Sequence, residues 1–144
     1  VLCHQLGYPA TEDQVRRRLD ELNRDPSQAV LVAEAGDAVA GWVQVSSHSL
    51  LMVGRQTEIE GLVVDERLRG HGIGKLLLDA AERWAVEHGC GFVALRSNII
   101  REGAHRFYQR AGYELVKTQR AFRKALRPLP EGDGIASRTS SHHI

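Results

Sequence analysis

The stretch "RLRGHGIGKLL" (67–77) sets glycines at 70, 72 and 74, directly after Arg69 and just before an apolar run of helical spacing. Which anion-binding motif this is can be decided by spacing. A Walker-type loop needs a glycine five residues before the Gly-Lys pair and a Ser or Thr after it. Here Arg69 stands five before Gly74 and Leu76 follows Lys75, so both requirements fail. The dinucleotide fingerprint G-x-G-x-x-G fails as well, because its last position falls on Lys75 or on Leu77. What remains is R-x-x-G-x-G, Arg69 to Gly74, between a strand and a helix. Bare backbone at Gly70, Gly72 and Gly74 lets successive N–H groups approach an anion, and the following helix N-terminus adds its positive end. A tight turn that binds nothing would have the same composition.

Working outward, "TEIEGLVV" (57–64) enters the loop as a strand. Leu76, Leu77, Ala80, Ala81, Trp84 and Ala85 mark a helix over 74–88 that Gly89 stops. "GFVALRS" then reads as a strand, and "REGAHRFYQRAG" as a helix with Ala104, Phe107, Tyr108 and Ala111 on one face and Gly112 as its stop. Upstream, Thr11 and Gln14 have capping-box spacing ahead of a helix striped by Val15, Leu19 and Leu22. The runs 29–35 and 38–46 form a hairpin signal through Gly36 and Asp37, "SLLMV" reads as a further short strand with "GRQ" as a turn, and "YELVKTQ" and "RAFRKAL" read as a closing pair of strands. This order predicts a mixed α/β sheet with at least one parallel crossover.

At 144 residues the chain holds one domain. A net charge of +1 gives no global field for nucleic acid or an anionic membrane, and Arg16, Arg17 and Arg18 are balanced by Glu12, Asp13, Asp20 and Glu21. No apolar run approaches the roughly 18 residues that span a bilayer. The opening residues lack a secretory pattern, and Cys3 and Cys90 are too few for a disulfide framework or zinc site. A cytoplasmic location without membrane, nucleic acid or metal is expected. His48, His71, His88 and His105 have no metal-ligand spacing to one another.

"GLVVDERLRGHGIGKLLLDAAERWA" (61–85) followed by "LRSNIIREGAHRFYQRAGYE" (95–114) resembles the GCN5-related N-acetyltransferase superfamily. The first stretch is similar to that family's acetyl-CoA pyrophosphate loop. The second is similar to its asparagine after a strand and its helix ending A-x-x-F-Y-x-x-x-G-[FY], here Asn98, Ala104, Phe107, Tyr108, Gly112 and Tyr113. The resemblance covers roughly residues 27 to 125 and implies a mostly antiparallel sheet with a splayed parallel strand pair and helices on both faces.

The resemblance also implies acetyl-CoA as co-substrate, lying between strands 57–64 and 91–97. Arg69, Gly70, His71, Gly72, Ile73, Gly74 and Lys75 would hold its pyrophosphate, and the main chain of Leu62, Val63 and Val64 would hold its pantetheine arm. Asn98 would bond that arm or the glycine-loop region, or cap the next helix. Tyr108 falls where the family keeps a tyrosine near the sulfur, and a phenol of pKa about 10 can protonate a departing thiolate of pKa about 8.5. Bringing a lysine-like ammonium to its neutral form at pH 7 costs about 4.6 kcal/mol, so a base is needed. Glu58 and Glu60 stand two apart on the strand and share a face unless a bulge intervenes. Glu58, four before Leu62, matches the base of the histone-acetylating members and is the first choice.

The expected activity is direct transfer of acetyl to a primary amine, most simply of a small molecule. A protein lysine or N-terminal acceptor and a non-catalytic acyl-CoA-binding module are the alternatives. Trp42, His48 and residues 47–56 are expected to line the acceptor site. The opening "VLCHQLGYP" resembles the end of the family's first helix with no strand before it, so the expected domain (1–126) lacks that strand and leaves a sheet edge that a homodimer could cover. Residues 127–144, rich in Pro, Gly, Ser and Thr, read as a disordered tail.

Overall fold

The computed structural model describes residues 10–97 and 102–127. Its elements are α1 (Glu12–Asn23), β1 (Gln28–Ala35), β2 (Ala38–Leu50), β3 (Gly54–Val64), a 3₁₀ turn (Glu66–Leu68), α2 (Ile73–Glu87), β4 (Phe92–Leu95) and α3 (Glu102–Arg110). The sheet order is β1-β2-β3-β4. The first two pairings are antiparallel and β3–β4 is parallel, joined by the α2 crossover. The expected mixed sheet with a splayed parallel pair is therefore present.

Helix ends follow their sequence signals. Gln14 N–H donates to Thr11 Oγ1 at 3.1 Å and Thr11 N–H to Gln14 Oε1 at 3.0 Å, a complete capping box on α1. Both α2 and α3 end in a glycine at positive φ, Gly89 at 70° and Gly112 at 96°. In each case the residue after the glycine donates back into the last turn, Cys90 to Ala85 O at 3.0 Å and Tyr113 to Tyr108 O at 3.0 Å.

The core lies between the sheet and the two later helices. Val43, Val45, Ile59 and Leu62 of the sheet pack with Leu77, Leu78 and Ala81 of α2 and Tyr108 of α3. Burying each leucine there contributes about 1.5–3 kcal/mol. Tyr113 ties the two helices together, its hydroxyl donating to Glu82 Oε2 at 3.0 Å. Burial first, then the charges of Glu82 and Asp79, raise the Tyr113 phenol well above its ordinary value.

Two sequence expectations differ from the fold. "SLLMV" is not a separate strand: Ser49 and Leu50 end β2, Leu51–Val53 form the hairpin turn, and Gly54 at φ 81° starts β3. From Val45 opposite Ile59 the register runs unbroken to Leu50 opposite Gly54, so the apolar run is spent on an exposed tip. "YELVKTQ" and "RAFRKAL" form no strands over the described residues 113–126, and Leu115, Val116, Phe122 and Leu126 are exposed. Strand propensity acts only where a partner edge exists, and the four residues of β4 offer a short ladder. The opening residues 1–9 and the tail beyond Arg127 lie outside the described residues.

Candidate active site

β3 outruns β4. Pairing begins at Gln56 opposite Phe92 and stops at Ile59 opposite Leu95, while β3 continues to Val64. Among the described residues no strand pairs with this edge of β3 from Glu60 onward, which leaves a gap beside it. Val63 turns its carbonyl toward β2, where it would lie 2.6 Å from a Cβ on Gly41, and Asp65 N–H donates to Ala40 O at 2.7 Å. Alternation along the strand leaves the main-chain groups of Leu62 and Val64 facing the gap. Of the three residues expected to offer their backbone there, these two are so placed.

A bulge sits at the mouth of the gap. Gln44 pairs with Gly61 but Val45 pairs with Ile59, so Glu60 is the extra residue. Glu58 and Glu60 nonetheless share a face. Ser46, opposite Glu58, donates its hydroxyl to Glu60 Oε1 at 2.8 Å. The inserted residue shifts the alternation, so Ile59 and Leu62, three apart, both reach the core.

The face bearing the glutamates holds two further groups. Arg96, just past β4, places Nη2 2.8 Å from Glu58 Oε1, and His48 Nε2 lies 4.0 Å from Glu58 Oε2. The Glu58 side chain is 14% exposed and that of Arg96 55%, so an inner carboxylate is held by an outer guanidinium. Arg96 was not singled out by the sequence. The parallel register brings it in: it lies two residues beyond Ala94, the partner of Glu58, and so on the same face.

The glycine loop closes one end of the gap. Asp65, buried, accepts from Arg67 N–H at 3.0 Å and from the Arg67 guanidinium at 2.8 Å, which turns the chain out of β3. Gly70 and Gly72 have φ of 86° and 80°, and a Cβ on either would meet nothing. They are needed for backbone shape. Gly74 serves differently, since its Cβ would lie 3.0 Å from Cζ of Phe107 on α3. Gly72 is the N-cap of α2 with no side-chain cap, and the first intrahelical bond is Leu76 N–H to Gly72 O at 3.1 Å. The N–H groups of Ile73, Gly74 and Lys75 thus form an uncapped helix start suited to an oxyanion. Arg69 folds back, its Nε 3.3 Å from Val64 O, and His71 Nδ1 contacts Leu68 O at 3.0 Å. Lys75 points along the helix to Asp79, at 3.0 Å, instead of into the loop.

Tyr108 sits on the opposite side of the sheet from the glutamates, in the core cluster and 4% exposed, with edge contacts to Phe107 and Tyr113. Ser97, beyond β4, has a buried hydroxyl oxygen with no hydrogen-bond partner among the described residues. Asn98 lies outside the described residues. No group of three or more His, Cys, Asp or Glu among the described residues could hold a metal, and no helix there is long and apolar enough to cross a membrane.

Comparison with known proteins gives this geometry a family. The sequence pattern of the Acetyltransferase (GNAT) family matches residues 2–113. An aminoalkylphosphonate N-acetyltransferase of Salmonella typhimurium is 34% identical over 126 residues, covering 88% of this chain and 79% of that protein. An aminoglycoside N(6′)-acetyltransferase type 1 of Stenotrophomonas maltophilia is 27% identical over 129 residues, covering 86% and 84%. The solved structure of AAC(6′)-Iy in complex with a bisubstrate analogue shares the fold, with a TM-score of 0.77 at 23% identity over 86% of this chain and 87% of that one. The chain belongs to the GNAT family and is an N-acetyltransferase.

Proposed function

We propose that the protein transfers the acetyl group of acetyl-CoA to the primary amine of a small molecule by direct attack. The observation that carries this reading is the unpaired edge of β3, which has two carboxylates on one side of the sheet, a tyrosine on the other and the glycine loop at its end. Fit to the coenzyme is supported by the two positive-φ glycines, the uncapped start of α2 and the buried Ser97 hydroxyl, which has no partner among the described residues. Relatives that acetylate small amines support the acceptor class.

The residues divide the work as follows. The first-turn N–H groups of α2, with Arg69, hold the pyrophosphate. Leu62 and Val64 pair with the pantetheine arm, and a main-chain N–H there holds the developing oxyanion. Glu60 takes a proton from the ammonium. It is preferred over Glu58 because Arg96 occupies a Glu58 oxygen, whereas Glu60 receives only a neutral serine hydroxyl at 2.8 Å. The freed amine nitrogen attacks the thioester carbon, the carbon–sulfur bond breaks, and Tyr108 gives its proton to the sulfur. The amine's second proton leaves as the amide forms and returns the phenolate to phenol. One proton, held on Glu60, is the net release to solvent.

The test is thiol release from acetyl-CoA by the purified chain across polyamines, aminoglycosides, amino acids and a lysine peptide. Release that depends on one small-amine class supports the reading. Release with the peptide alone overturns the acceptor class, and tight coenzyme binding without any release overturns catalysis.

A further inference from the structure

We propose that the acceptor carries an anionic group beside its amine, and that Arg96 is the residue that recognises this anion. The inference rests on the reading of the Glu58–Glu60 face as the acceptor site. Of the two carboxylates on that face, Glu58 is neutralised by Arg96 at 2.8 Å and flanked by His48 at 4.0 Å. Glu60 is the carboxylate without a cationic neighbour in contact among the described residues, held by Ser46 at 2.8 Å. A polycation would meet one uncompensated negative charge and, next to it, an exposed guanidinium that repels it.

Arg96 is built for a second partner. A guanidinium has five N–H donors in a planar fork, and Glu58 Oε1 takes the contact from Nη2 while 55% of the side chain remains open to solvent. Glu58, 14% exposed, is the inner member of the pair and orients the fork. Arg96 is held on Glu58, which shares its face of the sheet with Glu60, so that face presents a proton acceptor at Glu60 and, on the neighbouring carboxylate, an anion receptor at Arg96, an arrangement that suits a short zwitterion. The shared chemistry is an oxyanion, carboxylate or phosphonate, on a short alkyl chain ending in a primary amine.

The experiment compares β-alanine, its phosphonate analogue and propylamine, three amines of similar length that differ in the anion. For each, kcat/KM is measured with the wild-type chain and with Arg96→Gln and Arg96→Lys, alongside calorimetric binding of the two zwitterions to the protein loaded with CoA. The expected result is a wild-type preference for an anion-bearing amine. The ratio of its kcat/KM to that of propylamine falls about 10- to 100-fold in Arg96→Gln, mainly through KM, and Arg96→Lys restores part of it. The two zwitterions tell carboxylate from phosphonate. An equal loss on all three amines would mean that Arg96 only props Glu58 and would overturn the proposal, as would wild-type indifference to the anion. Zwitterion binding that depends on Arg96 without any acetylation would uphold the anion site and overturn the reading as an amine acetyltransferase of this class. No zwitterion binding to any variant overturns the anion site.

Discussion

Gly74 and Phe107 meet where the start of α2 crosses α3: a Cβ on Gly74 would lie 3.0 Å from the Phe107 ring. The third glycine of the loop is thus a packing residue, although it is indistinguishable in sequence from the two before it. Gly74→Val should lower unfolding free energy by about 1–3 kcal/mol. Phe107→Leu in the same chain should recover part of that loss. Urea unfolding of the two single variants and the double variant measures the coupling.

Gly41 is restricted by the main chain itself. Its Cβ would stand 2.6 Å from the Val63 carbonyl oxygen, which cannot move without breaking the β2–β3 ladder. Gly41→Ala should cost at least about 2 kcal/mol. Gly91→Ala, where a Cβ meets open space, is the matched control and should stay within about 0.5 kcal/mol of wild type in the same denaturation experiment.

At Gly72 the constraint is conformational. With φ at 80° and nothing near a Cβ, a β-branched residue is strained by about 1–2 kcal/mol, whereas asparagine accepts the left-handed region. Gly72→Val should therefore weaken CoA binding at least about 10-fold, and Gly72→Asn by much less. Calorimetric titration with CoA decides; unchanged affinity in the valine variant would remove the pyrophosphate site from this loop.

Tyr108→Phe keeps the ring in the core and removes only the hydroxyl, and with it the transferable proton. Turnover should fall about 100-fold with little change in the KM for acetyl-CoA and in thermal stability. Full turnover would leave Tyr108 as packing.

Tyr113 supplies a pH signature. Its folded-state pKa is raised above the unfolded value of about 10, mainly by burial and then by Glu82. A raised pKa contributes stability that is complete below pH about 10 and is lost as pH climbs past it. Tyr113→Phe should cost about 1 kcal/mol at neutral pH and flatten the alkaline decline. Unfolding measured between pH 7 and 11 tests both parts.

The sequence disclosed most where a signal is local. Capping residues, stop glycines and the helical stripe of α2 name their own structure, because each is settled within one or two turns. It disclosed less where the outcome depends on pairing. The strand pattern of residues 113–126 met only the four-residue edge of β4 on that side of the sheet, and the roles of Gly70, Gly72 and Gly74 parted only when α3 was placed beside them. Arg96 became visible once the parallel register set Ala94 opposite Glu58. The glutamates share a face as spacing suggested, and the bulge that spacing does not display shifts the alternation only beyond Glu60.

That bulge works as a phase slip in the strand's two-residue rhythm. Before it the even position Glu58 faces away from the core, and after it the even position Leu62 faces the core. One extra residue thus lets a single strand serve two clients with separate alphabets. The polar letters upstream can drift toward a new acceptor while the apolar letters downstream keep the core filled. Deleting Glu60 would remove the bulge together with the carboxylate it carries and leave Leu62, then two residues after Ile59, still on the core face, so the extra residue serves the polar side of the sheet and not the core.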